Sequence, residues 1–525
     1  MNNYFKILKD IKNGAKIKIN REKFSVFPED TLIKHLYVSN NDASEKRIFV
    51  NLEKRRNVVL DFGGATMEVN GRITPFYFYK CKNITIKNVN IKFSRHYYFQ
   101  AKITKIDGKK IFISPTGGDG FRVENGRIIL DYGDEVLDYG NKTVFIQEFE
   151  TNPVRVARDS NIRITSLGNI SGERESYAFS DDGLCVQSNI VPPFKTGNTI
   201  CFFCEQRISD SFVINECKNV KLENVNIYCS PAMGVIAQAS ENVKLKNVNV
   251  VRDENDKHIV TSLADATHFT NCRGKIILKN CTFENMNDDG TNVHGMYTVV
   301  SKVCGNAVEV LFKHFQQYGV KIYRSGDTIQ FFDVKEKIKK FSGKVRKVET
   351  VSEQVTRLVF DKTPTVNLGD VVENRSANPK VLISGCRTGN NRPRGFLVST
   401  PERVVISDCF FYNSECGIGM FADADFWFES GAFNDITVKN CNFYCNYGGG
   451  DAAISAKPSF KKGKGFFNGK LKVLNCTFNC DYGVAVSAYN TGNVILKNNV
   501  ATVKGEKVSF TDVERLKDCG GKCGK

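Results

Sequence analysis

The chain has 525 residues, 41% hydrophobic and 25% charged, with 74 Lys and Arg against 57 Asp and Glu and a formal charge of +17. That length admits two to four ordinary domains or one elongated repeat body, in a composition ordinary for a folded, water-facing chain. No run approaches the roughly 18 apolar residues of a membrane span, and the basic residues are scattered rather than gathered into an arm, which argues against nucleic acid as partner.

Met1 to Asn20 mixes lysines among its apolar residues and contains no apolar h-region. As written, the chain therefore reads as cytoplasmic, and as extracellular or periplasmic only if a signal has been removed. The first dozen residues carry the only hint of a helix. From there a repeat takes over: two alternating apolar residues, an asparagine, then two more in alternation. It appears first at Asn88, with Ile84, Ile86, Val89 and Ile91.

Residues 95–200 interrupt the repeat with strand-like runs and glycine turns, and are expected to be an inserted antiparallel β-barrel-like domain. The pattern resumes in 201–295, where Asn224 is flanked by Val220, Leu222, Val225 and Ile227, and Asn247 by Val243, Leu245, Val248 and Val250. Asn280 follows with Ile276, Leu278, Cys281 and Phe283. A second barrel-like insertion is expected over 296–390. Further coils over 391–505 are centred on Asp408, Asn440, Asn475 and Asn498, and 506–525 reads as a loose tail.

Strand side chains alternate, so apolar residues at −4 and −2 share one face. After the asparagine the inward positions become +1 and +3, a change of phase that one left-handed residue produces, and asparagine tolerates that conformation. Strand, bend and strand, recurring after 23 residues between Asn224 and Asn247, describe coils of an all-β, right-handed parallel β-helix, with residues 1–94 supplying its first coils. Eighteen cysteines then need no disulfide framework. Cys281, Cys409, Cys441 and Cys476 hold the +1 position and read as a buried column of small apolar groups. Cys201/Cys204 and Cys519/Cys523 lack histidines at zinc-site spacing.

Asp265 lies fifteen residues before Asn280, and Asp288 lies 23 residues after Asp265, beside Asp289. The same count reaches Ala232, Pro393 between Arg392 and Arg394, and Asp425, four residues before Glu429. One edge is thus expected to display Asp265, Asp288 and Asp289 as catalytic acids, with His294, Arg394, Trp427 and Glu429 binding substrate. Coils stack about 4.8 Å apart, so like charges meet and one carboxyl should be pushed up, as general acid catalysis requires. A glycosidase needs such an acid and a second carboxylate as base or nucleophile. No cofactor or metal is called for.

Several of these stretches resemble glycoside hydrolase family 110, the bacterial α-1,3-galactosidases acting on blood-group-B-type glycans. They are Asp265-Ala266-Thr267-His268-Phe269, Asn287-Asp288-Asp289, Asn292-Val293-His294-Gly295, Arg392-Pro393-Arg394-Gly395-Phe396-Leu397 and Trp427-Phe428-Glu429-Ser430-Gly431-Ala432. The resemblance implies a β-helix with inserted barrels and inverting release of terminal α-galactose from an oligosaccharide or glycoconjugate. It implies no metal, and active acids at Asp265, Asp288 and Asp289, with Asp288 as general acid. The alternatives are a polygalacturonase-like hydrolase of acidic polysaccharide, a calcium-dependent lyase and a non-catalytic glycan-binding β-helix. Oligomeric state leaves no trace in the sequence.

Overall fold

In a computed structural model the chain is described over residues 8, 10–140, 142–157, 163–168, 170, 175–204, 207, 209–445, 452–480, 484–503 and 508–519. The expected helix in the first dozen residues falls largely outside these. Among the described residues, no helix is long and apolar enough to cross a membrane.

The body is a stack of parallel coils. Lys218–Tyr228 pairs in parallel with Lys82–Phe93 on one side and Glu241–Val250 on the other, with Val220 opposite Ile84 and Val243. The bends fall where the sequence puts them: Asn88, Asn224, Asn247, Asn280, Asp408, Asn440, Asn475 and Asn498 all have φ between 51° and 58°. Their amides form ladders up the stack, Asn247 Nδ2 donating to Asn224 Oδ1 at 2.8 Å and Asn224 Nδ2 to Asn88 Oδ1 at 2.9 Å. Where such bends stack in successive coils, as at Asn88, Asn224 and Asn247 or at Asp408, Asn440, Asn475 and Asn498, repetition supplies the side chains with partners.

The interior follows the same logic. Phe411, Phe443 and Phe478 are stacked, with centroids 4.6 and 4.8 Å apart and planes 3° and 8° from parallel. These gaps match the coil rise, and full burial of each such side chain is worth about 1.5–3 kcal/mol. The cysteine column is buried as expected, and the described cysteines are free thiols.

Two antiparallel excursions leave the stack. Between Phe99 and Cys204, Val144–Thr151 pairs with both Arg163–Leu167 and Thr199–Cys204, and Phe99–Asp107 pairs with both Lys110–Pro115 and Thr199–Cys204. In the second, Thr291–Cys304 turns out of the helix to pair with Ala307–Leu311 and Val371–Asn374.

Three expectations are corrected here. Lys380–Ser384 and Arg387–Gly389 do not belong to the second excursion: they pair in parallel with Arg273–Lys279 and Thr282–Glu284 and form a helix coil. Their bend residue is Gly385, φ +63°, so a search for asparagine passes over it. The tail is not loose through Cys519, because Val508–Cys519 pairs in parallel with Val486–Lys497. The column of acids is displaced by one residue. Arg273 pairs with Glu241 but Ile276 with Val243, leaving one extra residue in a bulge. Gly274 sits there at φ +65°, where a Cβ would meet Asn242 Oδ1 at 2.3 Å, a position that favours glycine. Thr267 then pairs with Thr291, and Thr291 with Phe396. Two residues back along each strand, Asp265, Asp289 and Arg394 share a column, and Asp288 flanks it.

Candidate active site

Three strands of one helix face end at the site. Asp265 precedes Thr267–Thr270, Asp288 and Asp289 precede Thr291–Cys304, and Arg394 opens Arg394–Val398. The coil stacking brings the carboxylates together, with oxygens of Asp265, Asp288 and Asp289 all within 4.8 Å of one another. Asp265 (3% exposed) and Asp289 (0%) form the floor. Asp288, with 22% of its side chain exposed, faces outward.

Each acid has a different set of partners. Asp289 Oδ2 accepts from Arg394 Nη2 at 2.8 Å, while its Oδ1 has no protein partner. Asp265 Oδ1 accepts the backbone N–H of Asp289 at 3.2 Å, and its Oδ2 lies 2.5 Å from His268 Nδ1. Asp288 sits between two looser cations, Arg207 Nη2 at 3.6 Å and Arg392 Nη2 at 3.9 Å. Positive charge at this wall is thus supplied by three guanidinium groups, and a buried carboxylate requires such pairing.

Burial pushes the Asp265 carboxyl well above its ordinary pKa, and the charge of Asp288 adds to the effect. Burial also raises Asp289 well above the carboxylate range, although Arg394 pulls the other way. Glu429 differs: against its burial, the neighbouring His294, His268 and Arg394 hold it below its usual value.

Glu429 reaches the site from a short antiparallel pairing with Gly295 and Met296. Phe428 just before it has φ 55°, an uncommon conformation for a bulky residue, and this turns Glu429 inward. Its carboxylate accepts from Asn40 Nδ2 at 3.1 Å and from Asn292 Nδ2 at 3.3 Å, and lies 3.5 Å from His294 Nε2.

His294 is 1% exposed, and both ring nitrogens face protein: Nδ1 donates to the Gly295 carbonyl at 2.6 Å and Nε2 meets His268 Nε2 at 2.8 Å. Trp427 is half-buried with its ring against His314 (4.9 Å) and Phe426 (5.1 Å). Asp425 is exposed and pairs with Lys337. Sequence reasoning assigned no role to His268, Asn292, Arg207 or Asn40. His268 and Asn292 stand inside motifs already singled out. Arg207 and Asn40 arrive through long-range loop contacts that leave no local signal.

A carboxylate trio with unequal partners, set on a parallel β-helix and compensated by arginine, is the equipment of a glycoside hydrolase. Residues 307–372 match the family model described as GLAA-B beta-barrel domain II. The chain is 30% identical over 440 residues to alpha-1,3-galactosidase A of Shewanella woodyi, covering 81% of this chain and 70% of that one. It is 27% identical to alpha-1,3-galactosidase A of Bacteroides fragilis over 86% of this chain and 75% of that one. Against alpha-1,3-galactosidase B of the same organism the identity is also 27%, covering 83% and 75%. The chain belongs to the α-1,3-galactosidases of glycoside hydrolase family 110.

Proposed function

We propose that this enzyme removes terminal α-1,3-linked galactose from blood-group-B-type or linear α-galactosyl glycans, acting from the chain end with inversion. The observation that carries the reading is the convergence of Asp265, Asp288 and Asp289. Asp288, the exposed member, is the general acid that protonates the leaving oxygen. Asp265 and Asp289 hold and activate the attacking water, which Asp289 Oδ1, without a protein partner, is free to position. Closest approach of oxygens is not the span between acid and base, so inversion rests on the kinship rather than on the spacing rule.

A cleft of about 310 Å3, lined by Asp42, Lys46, Arg47, Arg72 and Arg207, adjoins the Asp288 side through Arg207 and suits the remainder of the glycan. Trp427 offers an apolar face to a galactose ring, and Arg394 and Glu429 orient its hydroxyls. The two excursions act as barrel-like domains on a right-handed helix, the hand that parallel crossovers take. They are divided from the helix near residues 95, 200 and 296.

The test is galactose release from linear and fucosylated α-1,3-galactosides with the anomer followed by NMR. β-Galactose should appear first, and Asp288→Asn should lower turnover by about 10³-fold with folding retained. First-formed α-galactose would overturn inversion, and substantial residual turnover would remove Asp288 from its role.

A further inference from the structure

We infer that His268 and His294 form a proton relay that runs from Asp265 to the His294 ring beside Glu429. This deepens the assignment of Asp265 to the water-activating wall and rests on it.

The row runs Asp265 Oδ2 to His268 Nδ1 (2.5 Å), His268 Nε2 to His294 Nε2 (2.8 Å) and His294 Nδ1 to the carbonyl of Gly295 (2.6 Å). Glu429 Oε1 stands 3.5 Å from His294 Nε2. The two rings meet edge to face, centroids 4.8 Å apart and planes at 86°. Asp265, His268 and His294 are each no more than 3% exposed, and Glu429 is 8% exposed.

Counting protons shows what the row must hold. A carbonyl can only accept, so His294 Nδ1 carries a hydrogen. The contact between the two Nε2 atoms needs one proton, and so does the contact between Asp265 and His268. Three bonds require three protons, whereas a carboxylate and two neutral imidazoles bring two. A buried donor or acceptor is not readily left without its partner, so the row retains the third proton, which resides on Asp265, His268 or His294.

The surroundings set its two end positions. Burial holds the His268 imidazole well below its ordinary pKa, reinforced by His294, and Asp265 is raised by burial and by Asp288. At rest the proton belongs on Asp265 Oδ2. At the other end, the Glu429 carboxylate stands 3.5 Å from His294 Nε2. The charged groups facing the row are Asp288, Asp289, Arg207, Arg394 and Glu429.

The transfer balances. As water attacks the sugar, its O–H bond breaks and a new O–H bond forms at Asp265 Oδ1. The proton on Oδ2 passes to His268 Nδ1, and the proton on His268 Nε2 passes to His294 Nε2. The carboxyl stays neutral throughout, and the added charge rests on His294 opposite Glu429. A buried, protonated aspartic acid can in this way serve as a base.

Two measurements test the relay. NMR of protein labelled with ¹⁵N-histidine, without substrate, should show His294 Nδ1 protonated from about pH 5 to about pH 9. It should also show a far-downfield exchangeable proton that vanishes in Asp265→Asn and His268→Gln. His268 titrating as an isolated imidazole would overturn the proposal even if galactose release is confirmed. This readout stands if the galactosidase reading fails, because it needs no substrate. In turnover, His268→Gln and His294→Gln should each lower kcat about 10²-fold with KM within about 2-fold, and the double variant should be little worse. The curved dependence of rate on deuterium fraction should become linear in both. Unchanged kcat and curvature would overturn the relay. If His268→Gln does not fold, His294→Gln decides the matter by the same criteria.

Discussion

The protein carries two clusters built from the same parts, two histidines with buried or half-buried acids, and their geometries differ. At the junction of the first excursion with the helix, His96 and His258 lie face to face, centroids 3.3 Å apart and planes 8° from parallel. One carboxylate, Asp256, serves both, 3.2 Å from His96 Nε2 and 2.7 Å from His258 Nδ1, and Asp119 closes the far side of His258 at 2.6 Å. At the active wall the rings are nearly perpendicular and joined nitrogen to nitrogen. Parallel rings aim their nitrogens at a shared acceptor, where the bonds end. Perpendicular rings pass a bond from one to the next. The first cluster joins an excursion to the helix, and the second is the row we propose as a relay.

The sharpest way to break that distinction is to remove one carboxylate from each cluster. Asp265→Asn is expected to lower galactose release by about 10³-fold, measured at saturating substrate with circular dichroism to confirm the fold. Asp256→Asn is expected to leave kcat unchanged and to lower unfolding free energy by about 2 kcal/mol in urea titrations. Equal losses of activity in the two variants would erase the contrast.

The pH dependence of stability sharpens it further. Burial opposes the Asp256 carboxylate, yet bonds to His258 and His96 hold its pKa far below the usual range. Its contribution is present above about pH 3.9 and is lost as pH falls through the folded value. Burial lowers His96, so stability also declines as pH drops below about 6.5. His258 goes the other way. Against its burial, bonds to Asp119 and Asp256 raise it, and that contribution is full below about pH 6.5 and is lost as pH rises through the folded value. Wild-type melting temperature should therefore fall on both sides of a maximum, and Asp256→Asn should flatten the alkaline limb and remove the Asp256 contribution lost below about pH 3.9. The smallest expected effect lies far from either cluster. Asn247→Ala should cost about 1–2 kcal/mol through its left-handed backbone, and Asn247→Gly distinctly less.

How much of this was legible in the sequence varies from feature to feature. The bend asparagines were legible because one residue performs the same task in every coil. The membership of the acid trio was legible because coil spacing is nearly constant. Which acid stacks on which was not, because the bulge at Gly274 adds one residue to the count between bends. The coil at Gly385 was missed because glycine can replace asparagine at a left-handed bend without any shared side-chain chemistry. The paired histidines were hidden for a different reason. They come from separate coils and meet only through the strand register of Thr270 opposite His294, a relation no local pattern announces.

The single inserted glycine has a consequence beyond counting. In a pleated ladder, a slip of one place exchanges the inward and outward sides of a strand. Deleting residue 274 would pull Thr267–Thr270 one step along its neighbours, so that the core-facing Phe269 would compete for the place of His268. A solenoid can thus acquire or lose an aligned set of functional groups through one change of length, with every side chain at the site left as it was.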